Sequence, residues 1–376
     1  MPAMTSRERV LAAFDRTPPD RVPFDLGSRG SSLAISLYED LKRHLGIERP
    51  PVVLDRRLGL AAIDEDVLER FGVDTRYVYL KTPASFQPRH DPETDSFTDE
   101  WGGTLRRPKG GFYYDHVDFP IKEGTIEAVT RHPLPDPDDP TRTRGLREEA
   151  RAFYDAGYAV GTYMKGVSET IWILRGLENA YMDMALNPKV YHALADRVST
   201  VLARMVENLF REVGDSVQFL CVTCDLGTQH NLMVSPRAYK EFIRPYEGRL
   251  FEAARKTGKA RIAQHSCGAV AKIIPLIIES GVEILNPVQT NAAGMDTAFL
   301  NREFGKDLCF WGGIDAQRIL PFGTPAEVRA EVARVIGDLA PGGGYLCGPT
   351  HGIQAFTPPE NVVAMCEAVR EFGARR

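Results

Sequence analysis

Apolar residues fall at two spacings along this chain, and from Arg142 onward the two alternate regularly. Stretches with apolar positions three and four residues apart predict helices over 143–156, 177–186, 188–213, 235–257, 269–280, 296–304, 325–339 and 358–373. Between them, short runs rich in strand-forming residues predict strands at Ala159–Tyr163, Val217–Val222, Ala260–Gln264, Glu283–Asn286, Leu308–Trp311 and Tyr345–Cys347. Upstream, Thr5 and Glu8 form a capping box that opens a first helix through Val10, Leu11 and Phe14, and Pro18 and Pro19 end it. Two further strands are expected near Val22–Phe24 and over Asp74–Leu80, with helices near Ser36–Leu45 and Asp64–Phe71 between them.

Eight strands alternating with helices make parallel βαβ units and predict an α/β fold of the (β/α)8 barrel type, a TIM barrel. An open doubly wound sheet is the alternative, but no G-x-G-x-x-G follows the first strand, and polar residues follow nearly every strand rather than one switch point. The whole chain, 1–376, is expected to be one barrel domain with an N-terminal helical extension. Residues 84–140 break the alternation. Pro, Gly, Asp and aromatic residues crowd there, with Lys109-Gly110-Gly111 between possible strands at Gly103–Arg106 and Phe112–Val117, and the acidic, proline-rich run Pro133–Pro140 follows. The expectation is a hairpin-containing excursion over the barrel mouth, with Trp101, Phe112, Tyr113 and Tyr114 walling a cleft.

Composition narrows the function. With 43% hydrophobic and 26% charged residues the chain reads as an ordinary globular protein, and a net charge of −5 argues against a nucleic-acid binder with a basic surface. No apolar run approaches the ~18 residues of a membrane span, and the N-terminus lacks a signal-peptide core, so a cytoplasmic protein is expected. The 6 cysteines all lie in the C-terminal half and mostly in strands, a pattern that suits reduced thiols. Cys221 and Cys224 are a CxxC pair within a strand, where residues three apart face opposite ways.

The chemistry gathers at the strand ends, which a barrel brings to one face. Ala260–Gly268 runs from an apolar strand into His-Ser-Cys-Gly, where His265 and Cys267, two apart, point an imidazole and a thiol the same way and form half of a zinc site. Polar residues follow the other strands: Asp25 and then Arg29, Lys165 and Glu169, Asp225 and Gln229, Asn286 and Gln289, Asp315, and finally His351 and Gln354. Cys347 and His351 repeat the strand-to-loop setting and supply candidates for a third ligand.

Cys224-Asp-Leu-Gly-Thr-Gln229, Ser235-Pro236, Pro245-Tyr246, His265-Ser-Cys-Gly268, Asn286-Pro-Val-Gln289, Gly312-Gly-Ile-Asp-Ala-Gln317, Gly342-Gly-Gly-Tyr345, His351-Gly-Ile353 and Pro359-Glu-Asn361 together resemble the uroporphyrinogen decarboxylase superfamily, over about 5–372. The resemblance implies a (β/α)8 barrel with its cleft at the C-terminal strand ends. One branch decarboxylates a porphyrinogen without metal or cofactor and carries an arginine-rich N-terminal motif. Here the corresponding loop, Asp25-Leu-Gly-Ser-Arg-Gly-Ser-Ser32, holds the single Arg29, which counts against a multiply charged porphyrin substrate.

The other branch, cobalamin-dependent methyltransferases, binds zinc through His-x-Cys and a distant Cys. It implies zinc on His265, Cys267 and a third ligand, for which His351 aligns with the family cysteine and Cys347 lies four residues earlier. It implies Asp225 as fourth ligand, acceptor for His265 or general acid/base, and Glu169 in the same roles. Asp25, Arg29, Gln229, Asn286, Gln289, Asp315 and Gln354 are expected at the substrate. The expected partners are a small methyl donor or acceptor and a separate corrinoid protein, because no segment resembles a cobamide-binding domain; a homodimer is a family-level expectation. A metal-free decarboxylase of a carboxylated ring is the alternative.

Overall fold

Seven parallel strands run side by side in chain order: β1 (Thr75–Tyr77), β2 (Ala159–Lys165), β3 (Phe219–Thr223), β4 (Arg261–His265), β5 (Ile284–Asn286), β6 (Cys309–Ile314) and β7 (Tyr345–Pro349). They belong to a computed structural model that describes residues 3–374. The register is regular, with Ala263 opposite Cys221 and Ile284, and Gly312 opposite Cys347. Helices return the chain between consecutive strands, as right-handed βαβ connections require.

The expected first strand, Val22–Phe24, is reduced to a single parallel bridge between Phe24 and Cys347. It still closes the barrel. Cys347 N–H donates to the Pro23 carbonyl at 2.9 Å, Asp25 N–H donates to the Cys347 carbonyl at 2.8 Å, and on the other side Asp74 N–H donates to the Phe24 carbonyl at 2.9 Å. Pro23 has no N–H, and Phe24 N–H is taken by the Asp74 carboxylate at 2.9 Å, so two ladder donors are missing. The expected 74–80 strand is likewise trimmed to three residues.

The barrel interior holds Phe219, Cys221, Tyr163, Trp311, Ala263 and Leu346, with Val10 and Phe14 of the capped helix Ser6–Phe14 packed among them. Phe219 meets Phe14 and Trp311 edge-on at 5.6 and 5.4 Å between centroids, contacts worth about 0.5–1.5 kcal/mol each beyond burial. Cys221 faces this interior while Cys224 joins the larger cluster outside the sheet, as residues three apart on a strand must.

The helix expected over 235–257 is present and carries a π-helical turn, Tyr239–Ile243, between Pro236–Ala238 and Arg244–Thr257. Pro245 cannot donate to the preceding turn and its ring crowds that turn's carbonyl, so the turn widens just before it. Two elements exceed the expectation for the N-terminal half. A hairpin pairs Val52–Asp55 with Leu60–Ala62, and the 84–140 excursion carries a four-stranded antiparallel sheet, His90–Asp91, Ser96–Thr98, Thr104–Arg106 and Asp115–Asp118. Among the described residues no helix is long and apolar enough to cross a membrane.

Candidate active site

At the C-terminal ends of the strands, His265, Cys267 and His351 converge, with one ligand atom from each lying within 4.8 Å of the others. Cys267 Sγ is 3.4 Å from His265 Nε2, and the two imidazole centroids are 6.0 Å apart. Tetrahedral zinc with ligands at 2.0–2.3 Å needs donor separations of about 3.3–3.8 Å. The His–Cys pair already has that spacing, and the third donor is within a side-chain adjustment of it. Two imidazole nitrogens and a sulfur are donors that zinc prefers.

The local chain explains the placement. His265 ends β4, and its Nδ1 lies 2.6 Å from Asn286 Oδ1 at the end of β5, which leaves Nε2 directed at Cys267. Ser266 N–H donates to the Asn286 carbonyl at 2.6 Å, Cys267 N–H to Asp225 Oδ1 at 2.8 Å, and Gly268 N–H to Gln289 Oε1 at 2.7 Å. Every backbone donor of the turn is thus held. Gly268 adopts φ +87°, and a Cβ there would lie 2.5 Å from the Gly227 backbone, so a side chain would break this close approach.

Titration follows from burial. Burial, and then the neighbouring His265, lowers the His351 pKa to about 4, so His351 is neutral at pH 7 and offers a lone pair. Burial pushes the Cys267 thiol well up, and the nearby Asp225 and Glu169 carboxylates push it further. A cation at this point would displace the thiol proton.

Asp225 Oδ1 stands 3.9 Å from His265 Nε2 while accepting from Cys267 N–H. Glu169 supports it from the first turn of helix Val167–Arg175, accepting from Asp225 N–H at 3.3 Å and from Thr223 Oγ1 at 2.8 Å. Burial raises the Glu169 pKa, and the Asp225 charge adds to the effect. Gly166, just before that helix, donates to the Thr223 carbonyl at 2.9 Å, and a Cβ would come within 2.1 Å of that oxygen.

These groups face a cavity of about 170 Å³ lined by Arg29, Arg57, Lys165, Glu169, Asp225, His265 and His351, among others. It adjoins an outer chamber of about 390 Å³. Arg29, Asp55, Arg57, Tyr163, Met164 and Lys165 line both, and Phe97 and Trp101 of the excursion line the outer one. The excursion therefore walls the approach to the site, although its aromatics divide the work. Trp101 lines the chamber, Tyr113 bonds through its hydroxyl to Gln354, Tyr114 is buried against Phe97, and Phe112 is exposed beside Phe356.

The other expected residues sit elsewhere. Cys347 is fully buried in β7, where burial pushes its thiol up to about 12, and it is not part of the His265–Cys267–His351 group. Asp25 is also fully buried: Oδ1 accepts from Thr75 Oγ1 and Tyr77 Oη at 2.6 Å each, and Oδ2 from Trp311 Nε1 at 2.9 Å. It braces the barrel interior and does not line the cavity. Gln229, Gln289 and Asp315 form a brace with Asn291, which donates to Asp315 Oδ1 at 3.2 Å while Gln289 Nε2 donates to Gln229 Oε1 at 2.9 Å. Gln354 donates to the Gly352 carbonyl at 2.7 Å. Arg57, on the hairpin turn, escaped the sequence reading; the signal was Val-Val-Leu-Asp and Leu-Ala-Ala flanking a four-residue turn that ends in Gly59.

The uroporphyrinogen decarboxylase (URO-D) family description matches residues 160–372, and the chain belongs to that family. Two similar proteins carry different names. The uroporphyrinogen decarboxylase of Chromohalobacter salexigens is 25% identical over 286 residues, covering 70% of this chain and 75% of that protein. The methylated-thiol--coenzyme M methyltransferase of Methanosarcina mazei is 26% identical over 275 residues, covering 72% of this chain and 67% of its own length. Among solved structures, a methyltransferase from Methanosarcina mazei superposes with a TM-score of 0.66 at 16% identity, covering 98% of this chain and 99% of that one, a likeness of fold.

Proposed function

We propose that this chain is a zinc-dependent methyltransferase that moves a methyl group to or from a small substrate, in concert with a corrinoid carried by a separate protein. The observation that carries the reading is the meeting of His265, Cys267 and His351 at a barrel mouth within a family that includes a methyltransferase relative. Those three residues would hold the metal, with Asp225 beside them. Zinc there supplies Lewis acidity to a thiol acceptor or to the leaving group of a methylated donor. The corrinoid supplies the carrier of the methyl group.

The chain's own residues do the rest. Asn286 fixes the His265 ring so that Nε2 faces the cavity. Asp225 holds the Cys267 backbone and, with Glu169 behind it, would take or return a proton at the reacting heteroatom.

A second reading, metal-free decarboxylation of a carboxylated ring, is favoured by the relatives named uroporphyrinogen decarboxylase. In it Asp225 stabilises a protonated intermediate and His351 binds substrate. The test offers the full chain methylcobalamin with a panel of thiols, reduced cobalamin with methylated thiols and methyl ethers, and uroporphyrinogen. Methyl transfer that requires zinc and disappears in Cys267→Ala is expected. Release of carbon dioxide from uroporphyrinogen by zinc-free protein, without methyl transfer, would reverse the assignment.

A further inference from the structure

Six basic side chains line the two chambers, and their partners differ. Arg142 pairs with Glu100 at 2.7 Å, Lys81 donates to the Arg144 carbonyl at 2.7 Å, and exposed Arg56 lies over the Phe97 and Tyr114 rings. Arg29 stacks on Tyr79, and its Nε, 3.6 Å from Asp55, is buried without a hydrogen-bond partner. Among the described residues, the Arg57 and Lys165 side chains have no hydrogen-bond acceptor and no carboxylate within ion-pair distance.

Arg29, Arg57 and Lys165 all line the boundary shared by the two chambers. For Arg57 and Lys165, half-buried cations without a paired carboxylate are costly unless a ligand completes them. Lys165 also registers the crowding, since burial and then Arg57 lower its pKa to about 8. The carboxylates of the inner cavity are Glu169 and Asp225, on the metal-ligand side, and Asp55, while Asp99 and the Arg142-paired Glu100 line the outer chamber. Tyr163 is the aromatic side chain that lines both chambers, and Phe86, Phe97 and Trp101 line the outer one.

We propose that Arg57 and Lys165, with Arg29, form a subsite for the carboxylate of a small aromatic acid, whose methyl-bearing end reaches His265, Cys267 and His351. The inference rests on the methyl-transfer reading for the role of that end, but its binding test does not. A guanidinium matches a carboxylate with two parallel hydrogen bonds, and the ammonium adds a third donor. Arg57 comes from the hairpin and Lys165 from the end of β2, so the subsite spans the two walls of the cavity.

The test is calorimetric titration of the full chain, as purified and again after chelator treatment, with 4-methoxybenzoate, 4-methoxybenzenesulfonate and neutral 4-methoxybenzamide. The carboxylate is expected to bind at least tenfold more tightly than the amide in both preparations. Arg57→Gln and Lys165→Gln should each erase at least tenfold of that affinity, with unchanged thermal melting as the check on folding. Equal binding of acid and amide, tighter binding of the sulfonate, wild-type affinity in both variants, or no binding by the wild-type protein would overturn the subsite. Carboxylate discrimination in a protein that takes up no zinc supports the subsite while removing the methyl-transfer reading. Zinc uptake without discrimination removes the subsite alone.

Discussion

The two walls of the cavity are built differently. On one side stand the ends of β3, β4 and β5, where consecutive parallel strands hold His265, Cys267, Asp225 and Asn286 through backbone and side-chain hydrogen bonds of 2.6–2.8 Å. On the other stand a two-stranded hairpin and a four-stranded sheet outside the barrel, which bring Arg57, Phe97 and Trp101 to the chamber. The first wall is a consequence of the barrel itself. The second is built from elements outside the barrel strands. A fold common to two chemistries constrains the reacting groups far more than the groups that select the substrate.

The comparison breaks most visibly inside the barrel. Removing the Asp25 carboxylate by Asp25→Ala leaves the Thr75, Tyr77 and Trp311 donors buried without their acceptor. A loss of about 3–5 kcal/mol is expected in denaturant unfolding, on the scale of a broken buried polar network. A loss under about 1 kcal/mol would show that Asp25 is not a brace. A smaller effect is expected at the strand-end wall. Asn286→Ala frees the His265 ring and should weaken zinc affinity by about 10–100-fold at nearly unchanged stability, as for other outer-shell partners of metal-bound histidines. Competition with a colorimetric chelator measures it, and unchanged affinity would remove Asn286 from the site.

The subsite between the two walls answers to pH. Lys165, with its pKa lowered to about 8, is charged below that value and neutral above it. Binding of 4-methoxybenzoate should therefore be pH-independent from about 6 to 7.5 and fall by up to about tenfold per unit as pH rises through 8. In Lys165→Gln the fall should vanish. The same slope in that variant would place the titration elsewhere. The smallest effect is expected at Cys347, whose sulfur lies in the core. Cys347→Ala should cost about 1 kcal/mol of stability and leave zinc affinity unchanged, whereas His351→Ala should abolish tight zinc binding. The reverse pattern would exchange their roles.

What the sequence disclosed follows the same division. The barrel strands were legible because each is a short buried run between helical stretches, and all six expected after Arg142 are present, with shifted ends. His265-Ser-Cys267 was legible because the strand period puts alternate side chains on one face. Asp25 was misplaced because one residue of phase at a strand end decides between the mouth and the interior. The third-ligand choice between Cys347 and His351 stayed open because it depends on where β7 ends, which is Pro349 rather than Cys347. Arg57 was hidden because contact between a hairpin turn and a barrel strand more than a hundred residues away leaves no local period.

Metal analysis of the full chain, purified without chelator or immobilised-metal contact, tests the central claim most directly. The account predicts one zinc per chain, lost in Cys267→Ala while the circular dichroism spectrum is unchanged. A folded wild-type protein that holds no zinc, and takes none up at micromolar free zinc, would contradict it.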